Sequence, residues 1–236
     1  PSSNPSSSAK PGWTGAWNKT PMPAYTDVTG LAGIAVALAA PLLALPGVRR
    51  LTLPRLALLL AAVVVIVLTP LGTMPVAAGV RGATGDLSIT TLVLIGSASL
   101  RCVTGWPPVD RRARLALLAF VSVAALALYP MALGLGSFDP YRLGYGSPWI
   151  LGALFATALA AWFSRLDLAA TCIALATLAW TVRWYESNNL WDYLLDPLVS
   201  FYALGNLALR GAKRVLPWFR GRNHAVGHEP PRGCQL

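Results

Sequence analysis

Apolar residues in this chain form long unbroken blocks, and residues 28–48, 56–80, 115–138 and 143–164 carry no charged side chain. Crossing a hydrocarbon layer of about 30 Å takes roughly 20 helical residues, so each block is long enough to cross a bilayer. The pattern predicts an all-α fold, a polytopic integral membrane helical bundle of about seven transmembrane segments. The first runs from Val28 to Val48, with Pro41 and Pro46 placed to kink it, and ends at Arg49 and Arg50. The second, Arg55 to about Met74, contains LALLLAAVVVIVL. It is apolar on every face and is expected to meet lipid on one side. The third begins near Asp86 and reaches Arg101 after 14 uncharged residues, which is short for a span. Its Ser88, Thr90, Thr91, Ser97 and Ser99 point to contacts with other helices.

The fourth segment, Leu115 to about Leu135, contains Pro130 near its far end. The fifth opens at Ser147 and Pro148, a capping residue followed by proline at the first helical position, and closes by Ser164. The three-residue link 165–167 forces the sixth, Leu168 to about Trp184, to lie antiparallel beside the fifth. Ala170, Cys172, Ala174 and Ala176 give it a small-residue surface for close packing. The last candidate, Leu198 to Leu209, reads as a seventh span or an interfacial hairpin. The span is preferred, because a hairpin would leave Arg210, Lys213, Arg214, Arg220 and Arg222 on the outer side. Between the second and third segments, GVRGATGD lacks the lysine and spacing of a phosphate loop and is expected to be a flexible outer turn.

Composition strengthens this picture. Hydrophobic residues make up 55% of the chain and charged residues 12%, about half the charged share of an ordinary soluble domain. The net charge of +10 is unevenly placed. Fourteen of the 19 basic residues, Arg49, Arg50, Arg55, Arg101, Arg111, Arg112, Arg114, Arg165, Arg210, Lys213, Arg214, Arg220, Arg222 and Arg232, fall on one predicted side. That side is expected to be cytoplasmic. The basic excess is thereby read as a topology signal, and no nucleic-acid partner is expected. The N-terminus lies outside and the C-terminus inside. Residues 1–27 read as a flexible extracytoplasmic tail, with Trp13, Trp17 and Tyr25 along the interface, 28–213 as the transmembrane bundle, and 214–236 as a basic cytoplasmic tail. In the tail region Lys213, Arg214, Arg220 and Arg222 surround Trp218 and Phe219, a pattern suited to anionic membrane lipids. Sixteen arginines against three lysines, with abundant alanine, fit a GC-rich bacterial genome and hence a bacterial inner membrane.

Several chemistries find no support. The three cysteines share no outer compartment, so no structural disulfide is expected, and Cys234 is misplaced for prenylation. Both histidines, His224 and His228, lie in the tail, so haem ligation from a helix is not available, and no metal or cofactor is expected. Ion-coupled pumping needs ionisable groups deep in the hydrocarbon, and none falls there.

The informative surface is the outer one. Three outer arginines each have an acid nearby: Arg81 with Asp86, Arg142 with Asp139, and Arg183 with Glu186. They are expected to form three local ion pairs, with convergence on a phosphate or carboxylate head group as the alternative. Two stretches, 137–149 and 183–197, concentrate polar and aromatic groups: Asp139, Tyr141, Arg142 and Tyr145 in one, and Arg183, Tyr185, Glu186, Asn188, Asn189, Trp191, Asp192, Tyr193 and Asp196 in the other. Asn188 or Asn189 is placed to cap a helix containing Asp192, and Asp196 to cap the next. The expected function is a non-enzymatic integral subunit of a bacterial cell-envelope complex. It would bind membrane lipid, or another integral or extracytoplasmic protein, through Arg81, Asp86, Tyr141, Arg142, Tyr145, Arg183, Tyr185, Asn188, Asn189, Trp191 and Tyr193. The alternatives are an outer-face enzyme acting on a lipid-linked or sugar substrate, with Asp139, Glu186 or Asp192 as acid or base, and an uncoupled transporter or flippase.

Overall fold

The computed structural model describes residues 25–48, 51–70, 72, 74–105 and 107–224, with backbone alone for residues 25, 44 and 215–224. The described residues are all-helical, in nine α-helices: α1 Tyr25–Ala39, α2 Leu53–Leu68, α3 Val76–Thr84, α4 Ile89–Thr104, α5 Arg111–Ala132, α6 Pro148–Phe163, α7 Asp167–Thr181, α8 Leu190–Leu194 and α9 Pro197–His224. A 3₁₀ turn, Ala40–Ala44, extends α1, and a second, Pro140–Gly144, precedes α6. The expected tail before residue 25, with Trp13 and Trp17, and everything after residue 224 lie outside the described residues.

Capping, more than hydrophobicity, sets several boundaries. Ser88 accepts the Thr91 N–H to start α4, and Gly105, with φ +69°, closes it. Asp110 accepts the Ala113 N–H, so α5 begins at Arg111, ahead of the apolar block expected from Leu115. Pro148 opens α6 as the sequence predicts, although the Ser147 side chain makes no capping bond. The link between α6 and α7 turns through Arg165, at φ +58°, and the two helices pack as antiparallel neighbours.

Two expectations are corrected between residues 69 and 85. The second segment does not continue to Met74: α2 stops at Leu68, because Pro70 disfavours helical backbone at Thr69, whose ψ is 135°. The supposed flexible turn GVRGATGD is largely helical, forming the C-terminal part of α3. Ala77 of α3 is fully buried in a small core with Ile34 and Leu87. Packing does not require Gly79 or Gly82, since a Cβ at either would meet nothing within 4 Å, and Gly85 ends the helix at φ +74°. A third correction is smaller: α7 stops at Thr181, three residues early, as Arg183 takes φ +54°.

The main core centres on α7, where Ala169, Ala170, Cys172, Ile173, Ala176 and Ala179 are buried against Leu117, Leu118 and Val121 of α5, Leu154 of α6, Tyr193 of α8 and Val199 of α9. The small residues let these helices approach closely. Ala174 faces outward, so this surface is narrower than the sequence implies. By length and composition, Thr26–Leu43 and Arg111–Ala132 are long and apolar enough to cross a membrane, with mean hydropathy 1.7 and 2.2. The apolar helices α2, α4, α6 and α7, of 15 or 16 residues, are shorter. α9 continues without a break from Pro197 to His224, so its backbone forms no hairpin.

Candidate functional site

At one end of the bundle the start of α1, the α3–α4 link, the end of α5, and the segments around α8 are tied together. Arg81, on the last turn of α3, is the hub. Its Nε and Nη2 donate to Asp86 Oδ1 and Oδ2 at 2.6 and 3.1 Å, Nη1 donates to Asp27 Oδ1 at 3.0 Å, and Nη2 also reaches Glu186 Oε1 at 3.2 Å. The planar guanidinium fork suits this two-point bond. The Asp86 bond, helped by the Asp27 bond and the charges of Asp86 and Glu186, outweighs burial and raises the arginine pKa further above its ordinary value. Gly30 of α1 leaves room for this arrangement: a Cβ there would overlap Asp86 Oδ1 and lie 2.7 Å from Arg81 Nε, so these side chains would have to shift.

A second knot joins the two polar stretches. Asp139 accepts the Tyr141 N–H at 2.9 Å and so sets the 3₁₀ turn. The Tyr141 hydroxyl donates to Asp192, 2.9 Å from each carboxylate oxygen, and Ser187 Oγ donates to the same group. Asn189 caps α8 by accepting the Trp191 N–H at 3.0 Å while its Nδ2 donates to the Tyr141 carbonyl at 2.9 Å. Trp191 Nε1 donates to the Pro140 carbonyl at 3.1 Å. Burial, then the adjacent Asp192 charge, pushes the Tyr141 phenol up, so it remains a donor.

Beneath these loops Tyr193 is 0% exposed, and its hydroxyl accepts the Tyr185 N–H at 3.1 Å and donates toward the Ser187 carbonyl at 3.0 Å. Asp196 is 3% exposed. Its Oδ1 accepts the Val199 N–H at 2.7 Å, capping α9, and its Oδ2 accepts the Ser88 N–H at 2.8 Å and the Thr91 hydroxyl at 2.5 Å. Next to it lies a cavity of about 230 Å³, lined by Asp86, Asp192 and Asp196 together with Tyr129, Tyr141, Tyr185 and Trp191. Tyr185 is buried, and its hydroxyl has no hydrogen-bond partner among the described residues. Burial, then the charge of Asp86, raises its pKa.

The acids and arginines of these loops therefore meet differently from the local pairs expected. Arg81 does pair with Asp86, but Glu186 bonds Arg81 and not Arg183, and Asp139 serves the Tyr141 backbone and not the Arg142 guanidinium. Arg142 and Arg183 are exposed and form no ion pair among the described residues. Arg81 is held by three carboxylates, and neither Arg142 nor Arg183 takes part in those contacts. Asn189 is the capping asparagine, whereas Asn188 is exposed and contributes its carbonyl to Trp180 Nε1 at 2.8 Å. Tyr145 is exposed and meets Tyr141 edge-on at 5.9 Å. Sequence reasoning missed Asp27, Gly30 and Tyr129, which join this end only through chain folding. Lys213 and Arg214 are exposed on α9, while the side chains of Trp218, Phe219, Arg220 and Arg222 lie outside the described residues.

A second concavity, an apolar groove of about 360 Å³, runs between α4 and α9 along Leu94, Ile95, Ala98, Leu198 and Val199. Arg101 and Arg114 line it without any acid, and Arg114 bonds the Tyr202 hydroxyl with its guanidinium 5.9 Å from that ring's centre. No protein-family model, curated protein or solved structure matches the chain.

Proposed function

We propose that the chain is a multi-pass protein of the bacterial inner membrane, with about seven spans, its N-terminus outside and its C-terminus inside. It serves as a non-enzymatic subunit of an envelope complex that binds a partner protein or lipid at its outer end. An apolar girdle supports the membrane placement: Leu58 of α2, Val123 of α5, Phe163 of α6, Leu178 of α7 and Phe201 of α9 all face outward, whereas a soluble surface avoids so extensive an apolar area. Helices of 15 or 16 residues rise about 24 Å, which local thinning of the bilayer accommodates. The mainly apolar groove between α4 and α9, holding Arg101 and Arg114, lies toward the proposed cytoplasmic side and suits an acyl chain with an anionic head group of that leaflet, apart from the outer-end surface.

One observation carries the binding reading. The acids and amides of the outer end hold the loops: Asp139 and Asn189 form caps, Asp192 accepts from Tyr141 and Ser187, and Glu186 pairs with Arg81. What faces outward from that rigid frame is Arg142, Tyr145, Arg183, Trp184 and Asn188, and arginine with aromatic side chains is the composition of interface anchors. Tyr193, Asn189 and Tyr185 are buried and support this surface from below. Native purification in mild detergent followed by mass spectrometry tests the reading. A companion protein is expected, and it should be lost from the Arg142→Ala/Tyr145→Ala double variant without loss of thermal stability. A chain that returns alone from its native membrane contradicts it. The cavity beside Asp192 favours a second reading, a site for a small polar molecule at the outer leaflet, including an enzyme site that uses Asp192.

A further inference from the structure

The 230 Å³ cavity is unusual in the balance of charge around it. Of its three carboxylates, only Asp86 has a cation, Arg81. Asp192 and Asp196 take hydrogen bonds solely from neutral donors: Tyr141 and Ser187 on the first; Ser88, Thr91 and Val199 on the second. No cationic side chain among the described residues lies within 4 Å of either. A carboxylate as buried as that of Asp196 is costly when only dipoles compensate it.

An independent feature points the same way. Tyr185, 2% exposed, lines the cavity with a hydroxyl that has no hydrogen-bond partner among the described residues, and it feels the charges of Asp86 and Asp196, which line the same space, with Arg81 opposing them. Buried hydroxyls are bonded as a rule, and an orphan one calls for an explanation, of which a bound ion is one. The walls between these polar groups are the rings of Tyr129, Tyr141 and Trp191.

We infer that this cavity binds a small primary ammonium group. Such a group carries one positive charge and three N–H donors. Asp192, Asp196 and the free lone pairs of the Tyr185 oxygen supply three acceptors, and the surrounding rings favour a cation over a neutral group. A free amine and the ethanolamine head group of a lipid share this chemistry. The inference deepens the outer-end reading by naming a ligand beneath the partner surface, and it rests on that reading for the side from which the ligand enters.

The test is calorimetric titration of the full-length protein in mild detergent with ethanolamine hydrochloride. Saturable heat is expected, while 1-propanol, the neutral analogue of equal length, choline, which has no N–H, and sodium chloride give at least about tenfold weaker binding. Asp192→Asn should weaken ethanolamine binding by about tenfold or more. Tyr185→Phe is the decisive variant. It removes an unsatisfied buried group, so the free protein should melt at the same temperature or higher, yet ethanolamine binding should fall by about tenfold. No ethanolamine heat, equal binding of 1-propanol, choline or sodium, or unchanged binding in Tyr185→Phe overturns the inference. Competition by nanodiscs of phosphatidylethanolamine, but not phosphatidylcholine, identifies the lipid as source; ethanolamine binding without that competition identifies a free amine. Ethanolamine binding by a chain that purifies without a companion sinks the partner reading alone. A companion without ethanolamine binding sinks this inference alone.

Discussion

A single methyl group at Gly144 would overlap the Asn189 amide oxygen and come within 2.7 Å of Trp191 Cδ1. Both atoms belong to the knot that fixes α8 beneath the Pro140–Gly144 turn. Gly144→Ala is expected to cost about 1–3 kcal/mol through this overlap, read as a lowered melting temperature in detergent. Gly152→Ala, in α6 where nothing lies within 4 Å of a Cβ, should be neutral or gain up to about 1 kcal/mol. Equal effects at the two sites would remove the close-packing explanation. The sequence marks Gly144 as a turn former, but the demand on it comes from two residues more than 40 positions later in the chain. Gly30 shows the same limit, since nothing near it in sequence signals that Asp86 and Arg81 press against it.

Elements were legible where local chemistry sets their ends. Pro148 opening α6, the short link into α7, and the Asn189 and Asp196 caps all follow from residues within a few positions. α3 was not legible, because its glycines read as breakers and its reason for being helical is Ala77, buried against Ile34 and Leu87 from other segments. The helix matters because it carries Arg81 to three acids drawn from α1, the α3–α4 link and the segment before α8. Arg81→Gln leaves Asp86, with a side chain only 19% exposed, beside two further carboxylates. A loss of about 2–4 kcal/mol is expected. Arg81→Lys should restore little of it, since an ammonium cannot make the two-point bond. A melting temperature unchanged in Arg81→Gln would show that the hub does not hold α3 to its neighbours.

At the scale of the molecule, the charge-free blocks disclosed the helices, and the arginine asymmetry is the basis of the orientation proposed for them. The polar end of the bundle was visible as two polar, ring-rich stretches, yet the pairing inside it was not, because Arg81–Glu186 and Tyr141–Asp192 connect residues 105 and 51 positions apart. The proposed orientation places Asn188 outside and Ser164, in the α6–α7 link, inside. Single cysteines at these exposed positions, on a background with Cys102, Cys172 and Cys234 replaced by serine, can be probed in intact cells with a membrane-impermeant maleimide. The account predicts that Asn188→Cys labels at once and Ser164→Cys only after permeabilisation; labelling of both from the same side would contradict it.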